Sequence, residues 1–307
     1  MNKKISVVLV ILAFLTFIAF IIYDVAFHKE KAPVGTIISD SSKIEDQWYI
    51  ADKFEPHQGN LKTIATSTGS SVFIGGDKFV ARYQSDLKPV WALPTKKTVT
   101  AIALSGDTVF ASTYESILVI SPEGKLITEW GPFEDSSVIV SVAANKSLVA
   151  FSDAQHKIIT IIDKKGNMLK QIGFSGEPFI IPNNYFEVDL TKENMIYVAN
   201  SGKNRIELRN LEGTIAESFG APGNAPGDFC GCCNPSHFAR IPEGFITSEK
   251  GINRIKILDR HGVFVEYVNS VNKFTPSVPL DVASPDGKII YAVNPSDSKL
   301  YVFKRKG

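Results

Sequence analysis

The chain has 307 residues, enough for one large all-β domain or two average ones. Its formal net charge of +1 supplies no global field for nucleic acid or a polyacidic partner, and its 44% hydrophobic content suits a globular protein with a substantial core. Gly and Pro are scattered, so no low-complexity segment or long disordered linker is indicated.

The basic start Met1-Asn2-Lys3-Lys4 precedes a 19-residue apolar run from Ile5 to Tyr23. At about 1.5 Å per residue such a run spans a hydrocarbon core of about 30 Å. The h-region of a cleaved signal is shorter, about 7–15 residues, and ends at small residues. Tyr23-Asp24-Val25-Ala26-Phe27-His28 is a poor site of that kind, and no cysteine lies nearby to carry a lipid. Residues 1–28 therefore read as a cytoplasmic stub and an uncleaved transmembrane signal anchor, with Lys3 and Lys4 inside. A cleaved secretory signal is the alternative, and both readings export the body of the protein. The implied location is a bacterial cytoplasmic membrane, crossed once, with residues 29–44 as a juxtamembrane linker and residues 45–307 outside.

From about residue 61 one pattern repeats: short apolar strands separated by polar turns. The third strand of each unit is the clearest: Phe79–Tyr83, Ile117–Ile120, Ile159–Ile162, Ile206–Arg209, Ile255–Leu258 and Leu300–Phe303. The turn that follows carries Asp86, Gly124, Gly166, Gly213 and Gly262, at spacings of 38, 42, 47 and 49 residues. Glycine accepts the positive φ of such a turn without steric cost. A period of about 40–50 residues with four strands per unit is the signature of a β-propeller. Units fall near 61–95, 99–132, 139–173, 186–220, 234–268 and 279–307, giving an all-β, six-bladed propeller with four-stranded blades. Trp48, Trp91 and Trp130 read as blade-packing aromatics.

The last unit stops one strand short at Gly307. Upstream, Gln47-Trp48-Tyr49-Ile50-Ala51-Asp52-Lys53-Phe54 is strand-like and has no unit of its own. Strand 47–54 is expected to complete the sixth blade from outside, closing the ring and removing an open edge.

Ile196-Tyr197-Val198-Ala199-Asn200-Ser201-Gly202-Lys203-Asn204-Arg205-Ile206-Glu207 resembles the core of an NHL repeat, and Ser248-Glu249-Lys250-Gly251-Ile252-Asn253-Arg254-Ile255-Lys256 echoes it one unit later. The resemblance covers roughly residues 60–307 and implies six blades. Arg205 and Arg254 occupy equivalent places in it and read as bridges between neighbouring blades. The stretch Pro226-Gly227-Asp228-Phe229-Cys230-Gly231-Cys232-Cys233-Asn234-Pro235, with His237 after it, is similar to a segment of exported bacterial NHL-repeat proteins. It implies no activity.

That stretch holds every cysteine of the chain. In a propeller the link between blades four and five lies on the same face as the turns Asn200 to Asn204 and Glu249 to Asn253. Asn200, Asn204, Asn234, Glu249 and Lys250 are therefore candidate binding-face residues, and His237 opens an inner strand beside the channel. Cys230, Cys232, Cys233 and His237 are candidates for a disulfide or a metal site. Outside the membrane thiols tend to oxidise, and Cys230 with Cys233 suits a turn-closing disulfide. Thiolates with an imidazole equally suit copper, zinc or an iron–sulfur centre. Adjacent Cys232 and Cys233 would form a strained ring, better suited to redox exchange than to a staple.

Elsewhere His57, His156 and His261 are dispersed. The inner strands show no row of histidines and carboxylates, although Asp189 and Asp281 fall where they can face the axis. No G-x-S-x-G, H-E-x-x-H or phosphate loop is present. The expected function is thus non-enzymatic: a membrane-tethered module binding a protein or small ligand through its cysteine-bearing face. The alternative is a metal-binding or thiol-redox protein of an extracytoplasmic electron-transfer or metal-handling system.

Overall fold

The computed structural model describes residues 14–18, 44–56, 58–174, 176–270 and 273–307. The chain divides into two units, Met1–Ser39 and Asp40–Gly307. Of the first, only a helical segment over residues 14–18 is described, and among the described residues no helix is long and apolar enough to cross a membrane. The expected anchor over 1–28, apart from residues 14–18, and the expected linker over 29–44, apart from residue 44, lie outside the described residues, as does His57.

The second unit is a ring of six four-stranded antiparallel sheets. The first blade runs β2 (Leu61–Thr66), β3 (Val72–Gly76), β4 (Phe79–Tyr83) and β5 (Pro89–Pro94) from inside outward. The second runs β6 (Ala101–Ser105), β7 (Thr108–Ser112), β8 (Ile117–Ile120) and β9 (Leu126–Trp130). The third runs β10 (Ile139–Ala144), β11 (Leu148–Asp153), β12 (Ile158–Asp163) and β13 (Met168–Ile172). The fourth runs β14 (Val188–Leu190), β15 (Ile196–Asn200), β16 (Arg205–Arg209) and β17 (Ile215–Phe219). The fifth runs β18 (His237–Ile241), β19 (Gly244–Ser248), β20 (Ile255–Asp259) and β21 (Phe264–Asn269). The sixth takes β22 (Asp281–Ala283), β23 (Ile289–Asn294) and β24 (Lys299–Arg305), and its outer strand is β1 (Trp48–Phe54).

Each blade has two neighbours, so its second and third strands are covered on both faces. This is why β8 and β11 are buried along their whole length while β9 is mostly exposed. The core is accordingly not one mass. Among the described residues six apolar clusters each fill one seam, from the first-to-second seam of Phe73, Val109 and Ile120 to the closing seam of Leu61, Ile74, Tyr291 and Leu300. Closure is by antiparallel pairing of Trp48 with Arg305 through to Phe54 with Leu300. Trp48 is 2% exposed, and its indole N–H donates to Glu266 Oε1 at 2.8 Å across the fifth-to-sixth seam. A strand from near the start of the ring thereby locks its last blade and buries an edge that would otherwise pair with other chains.

The glycine before the fourth strand has two reasons to be glycine. Gly166 sits at φ +87°, in the left-handed region, and a Cβ built on it would meet the Trp130 indole at 2.6 Å. Gly124 repeats this against Trp91 at 2.5 Å. The outer-strand tryptophan of one blade lies flat on the turn of the next, so turn and seam are specified together.

Candidate functional site

The second-to-third-strand turns and the links between blades gather on one face. There the cysteine link is clamped from below. Asn204 takes the left-handed conformation at φ +52°, which Asn tolerates better than most residues. Its side-chain amide donates to the carbonyls of Phe229, Gly231 and Asn234 at 3.3, 2.8 and 3.4 Å. Asn253, equivalent one blade later at φ +50°, does the same for the next link through Thr275 and Val278. Asn234 donates to Cys230 O and Lys250 O and accepts from Lys250 N at 2.8 Å. Phe229 is fully buried and fills the fourth-to-fifth seam.

A buried charge cluster holds the other side. Glu249 accepts from Arg254 Nε at 2.7 Å and pairs with Lys256 Nζ at 3.2 Å, and its Oε2 accepts from the Cys230 amide N–H at 2.9 Å. Arg254 and Lys256 both reach the carbonyl of Asp228. Burial pulls the Lys256 ammonium down to about 8, partly against the Glu249 carboxylate. One blade earlier the sign order is reversed: the acid is on the third strand, as Glu207, bonded by Arg205, Arg209 and Asn200. Arg205 also pairs with Glu177 of the preceding link at 2.6 Å. Both arginines thus tie their own blade to the link that enters it.

Four of the five expected binding-face residues therefore lie inside the scaffold. Asn200, Asn204, Asn234 and Glu249 are buried and spend their polar atoms on the frame. Lys250 is half-buried, with Nζ 5.5 Å from the centre of the Tyr185 ring. What they present to solvent is the loop.

The loop displays its cysteines unequally. All three are free; Cys232 is exposed, Cys233 buried and Cys230 between the two. Cys232 Sγ and Cys233 Sγ lie 3.0 Å apart. The contact with Cys233 lowers the Cys232 thiol, while burial and the same contact raise Cys233. Burial, with Glu249 nearby, pushes Cys230 up to about 11. The expected partner of Cys233 in a disulfide, Cys230, is thus held by its backbone to Glu249, whereas the sulfur that Cys233 meets is that of Cys232.

His237 does not assemble with the cysteines into a ligand set. Among the described residues, the His, Cys, Asp and Glu side chains that converge in threes within 4.8 Å are Glu187, His237 and Asp281. Here the structure corrects the sequence reading, which saw no such row on the inner strands. The three come from three successive blades and occupy one position in each. His237 and Asp281 open β18 and β22, and Glu187 immediately precedes β14. His237 Nδ1 lies 2.9 Å from Glu187 Oε2 and 3.7 Å from Asp281 Oδ1. Each carboxylate spends its other oxygen on the frame. Glu187 Oε1 accepts from Ser141 Oγ at 2.8 Å, and Asp281 Oδ2 accepts from the Ile64 amide at 2.9 Å. Burial raises Glu187 against the opposing pull of His237. Burial depresses His237, but the Glu187 hydrogen bond and the Asp281 and Glu187 charges outweigh it and leave it raised.

At the same level the other three blades offer small side chains, Thr63, Ala101 and Ser141. The channel is therefore polar on one side and open on the other. A cavity of about 650 Å³ continues along it, lined by Glu187, Asp281, Thr63 and Ala101 near this end and by Lys192 and Ile241 further on. Deeper in, Arg240 Nε bonds Asp189 Oδ2, so Asp189 is already paired. Tyr185 connects mouth and loop: its ring meets the His237 ring edge-on at 5.9 Å and lies under Lys250. Glu187 is the residue that sequence reasoning missed. Its one available signal was its alignment, unit to unit, with His237 and Asp281.

Comparison with solved structures gives the same architecture. The chain is similar to a streptogramin B lyase, with TM-score 0.60 and 13% identity, over 84% of this chain and 98% of that one. It is similar to a catalytically inactive virginiamycin B lyase from Staphylococcus aureus with quinupristin, with TM-score 0.61 and 15% identity, over 84% and 100%. The β-propeller domain of Cps50 (Swd1) from Myceliophteria thermophila also matches, with TM-score 0.55 and 14% identity, over 83% and 86%. At these identities the likeness is one of fold. No protein-family model and no curated protein matches the chain.

Proposed function

We propose that this chain is an exported, membrane-tethered binding propeller that takes its ligand at the channel mouth, on the face carrying the cysteine loop. The observation that carries the reading is the convergence of Glu187, His237 and Asp281 at the head of a wide channel. Two carboxylates around one imidazole, each oriented by a second hydrogen bond, form a preorganised polar floor. The small residues opposite leave room for a ligand to reach it. A cationic or hydrogen-bond-donating group suits the floor best. The apolar N-terminal run supports the tether, and the resemblance of residues 196–207 and 248–256 to NHL repeats supports a role in binding.

A second reading has one specific observation in its favour. One nitrogen and two carboxylate oxygens within 4.8 Å of one another are a fitting set for a divalent cation such as zinc or manganese, held on one side with the channel open on the other. The cation would then be part of how the ligand is held.

Thermal-shift titration of the full chain and its Glu187→Gln variant tests both. The ligands are zinc and manganese ions and a panel of small organic cations and acids. A rise in Tm in the wild type that is lost in the variant supports the mouth as the binding site, and the class of effective ligand separates the two readings. Equal shifts in both proteins, or none for any ligand, overturn it.

A further inference from the structure

We infer that Cys232 and Cys233 form a vicinal dithiol that exchanges with disulfides of thiol-containing ligands or partner proteins, Cys232 attacking and Cys233 resolving. The inference stands apart from whatever occupies the Glu187–His237–Asp281 floor.

Geometry carries it. The two sulfurs are in contact at 3.0 Å, although side chains of adjacent residues often point apart. They are held there by a loop with few free degrees of movement. Asn204 fixes the carbonyls of Phe229, Gly231 and Asn234, Glu249 fixes the Cys230 amide, and Asn234 is bonded to Cys230 and Lys250. Gly231, at φ +72° with open space around it, lets the chain turn so that both thiols face one side. Exposure then divides the work. Cys232 is open to an incoming disulfide, and Cys233 is buried behind it, reachable by Cys232 but by little else. The contact with Cys233 also lowers the Cys232 thiol, which favours the attacking thiolate there. Burial and the Cys232 contact raise the Cys233 thiol, and the nearby Lys250 ammonium offsets part of that for the second step. Cys230 is the third thiol but not a partner, because burial and Glu249 keep it protonated.

The chemistry balances without a further oxidant. The Cys232 thiolate attacks one sulfur of R–S–S–R′, forming Cys232–S–S–R and releasing R′S⁻. Cys233 loses its proton to solvent and attacks Cys232 Sγ. The Cys232–Cys233 bond forms, the mixed disulfide breaks, and RS⁻ leaves. Two cysteine thiols are oxidised and one ligand disulfide is reduced to two thiols. The product is an eight-membered ring, and strained disulfides are the readily reduced ones, so the exchange runs in both directions with the surrounding thiol pool.

Glutathione disulfide is the probe. The full chain, wild type and variants, is equilibrated with mixtures of reduced and oxidised glutathione, quenched with acid, alkylated and mapped by peptide mass. In the wild type and in Cys230→Ser the expected product is an intramolecular Cys232–Cys233 bond, with Cys230 alkylated where present. Cys233→Ser is expected to trap glutathione on Cys232, and Cys232→Ser to trap little, because of its two remaining thiols Cys233 is buried and Cys230 is half-buried and raised to about 11. A product that pairs Cys230, or thiols that stay reduced throughout the glutathione range, overturns the inference. So do thiols protected by a stoichiometric metal ion. Cys232 is exposed and Cys230→Ser leaves the pair untouched, so these outcomes are decided even where Cys233→Ser fails to fold.

Discussion

His237 Nδ1 stands 2.9 Å from Glu187 Oε2 across the seam between the fourth and fifth blades, so the polar floor of the channel exists only where neighbouring blades pack together. Glu187→Gln keeps the size and the Ser141 contact but removes the charge that faces the imidazole. Loss of a group that directly contacts a ligand or ion costs more than loss of its supports, which is itself about 10–100-fold. Affinity for the ligand or divalent ion that stabilises the wild type is expected to fall by at least about tenfold, with the circular dichroism spectrum unchanged. Calorimetric titration checks this, and an unchanged Kd removes Glu187 from the site.

The ring was legible in the sequence for a physical reason. Buried third strands are apolar on both faces, as in Ile159–Ile162, and the turn after them needs glycine, as at Gly166; both signals are local. The outer closing strand was visible because Trp48 to Phe54 had strand character and the last unit lacked one. The channel floor was not visible. Glu187 and His237 are 50 residues apart, and they meet only because they stand at equivalent places beside the starts of inner strands in neighbouring blades. Likewise Asn204 and Glu249 look like surface polar residues in the sequence. They are buried because the cysteine link folds over them and offers its carbonyls and one amide as partners.

Among the described residues Glu249 is the carboxylate that pairs with two buried cations, Arg254 and Lys256, and it also holds the Cys230 amide. Removing one partner of a buried ionic set leaves the others uncompensated, at a cost of about 3–5 kcal/mol. Glu249→Gln is therefore expected to lower unfolding stability by about that much in urea. It should also speed hydrogen exchange at Cys230 and its neighbours relative to the third blade. Stability within about 1 kcal/mol of wild type would mean that the cations are satisfied by the Asp228 carbonyl alone.

Gly166 serves the turn and the seam at once. Alanine there must hold φ +87° and push its Cβ into the Trp130 indole. The first effect alone costs about 1 kcal/mol or more and the overpacking adds a similar amount, so Gly166→Ala is expected to destabilise by about 2–3 kcal/mol. In a Trp130→Ala background the clash is gone and only the backbone part should remain. Equal costs in the two backgrounds would deny the contact.

Lys256 links stability to pH. Its side chain is fully buried, and burial depresses its pKa to about 8, against an ordinary value near 10.5. Between those two values the unfolded chain still binds the proton that the folded chain has released. The unfolded state then binds more protons, so stability rises with pH across that window. The gap between about 8 and 10.5, at about 1.4 kcal/mol per unit, corresponds to roughly 3 kcal/mol once the whole window is crossed. Buried tyrosines such as Tyr267, whose pKa burial raises, act in the opposite direction above pH 10, so the comparison is with Lys256→Met, which keeps the volume and has no proton to lose. Unfolding free energy measured in steps from pH 7.5 to 10 should climb more in the wild type than in Lys256→Met. Parallel curves would mean that Lys256 keeps its charge through this range, with Glu249 outweighing the burial.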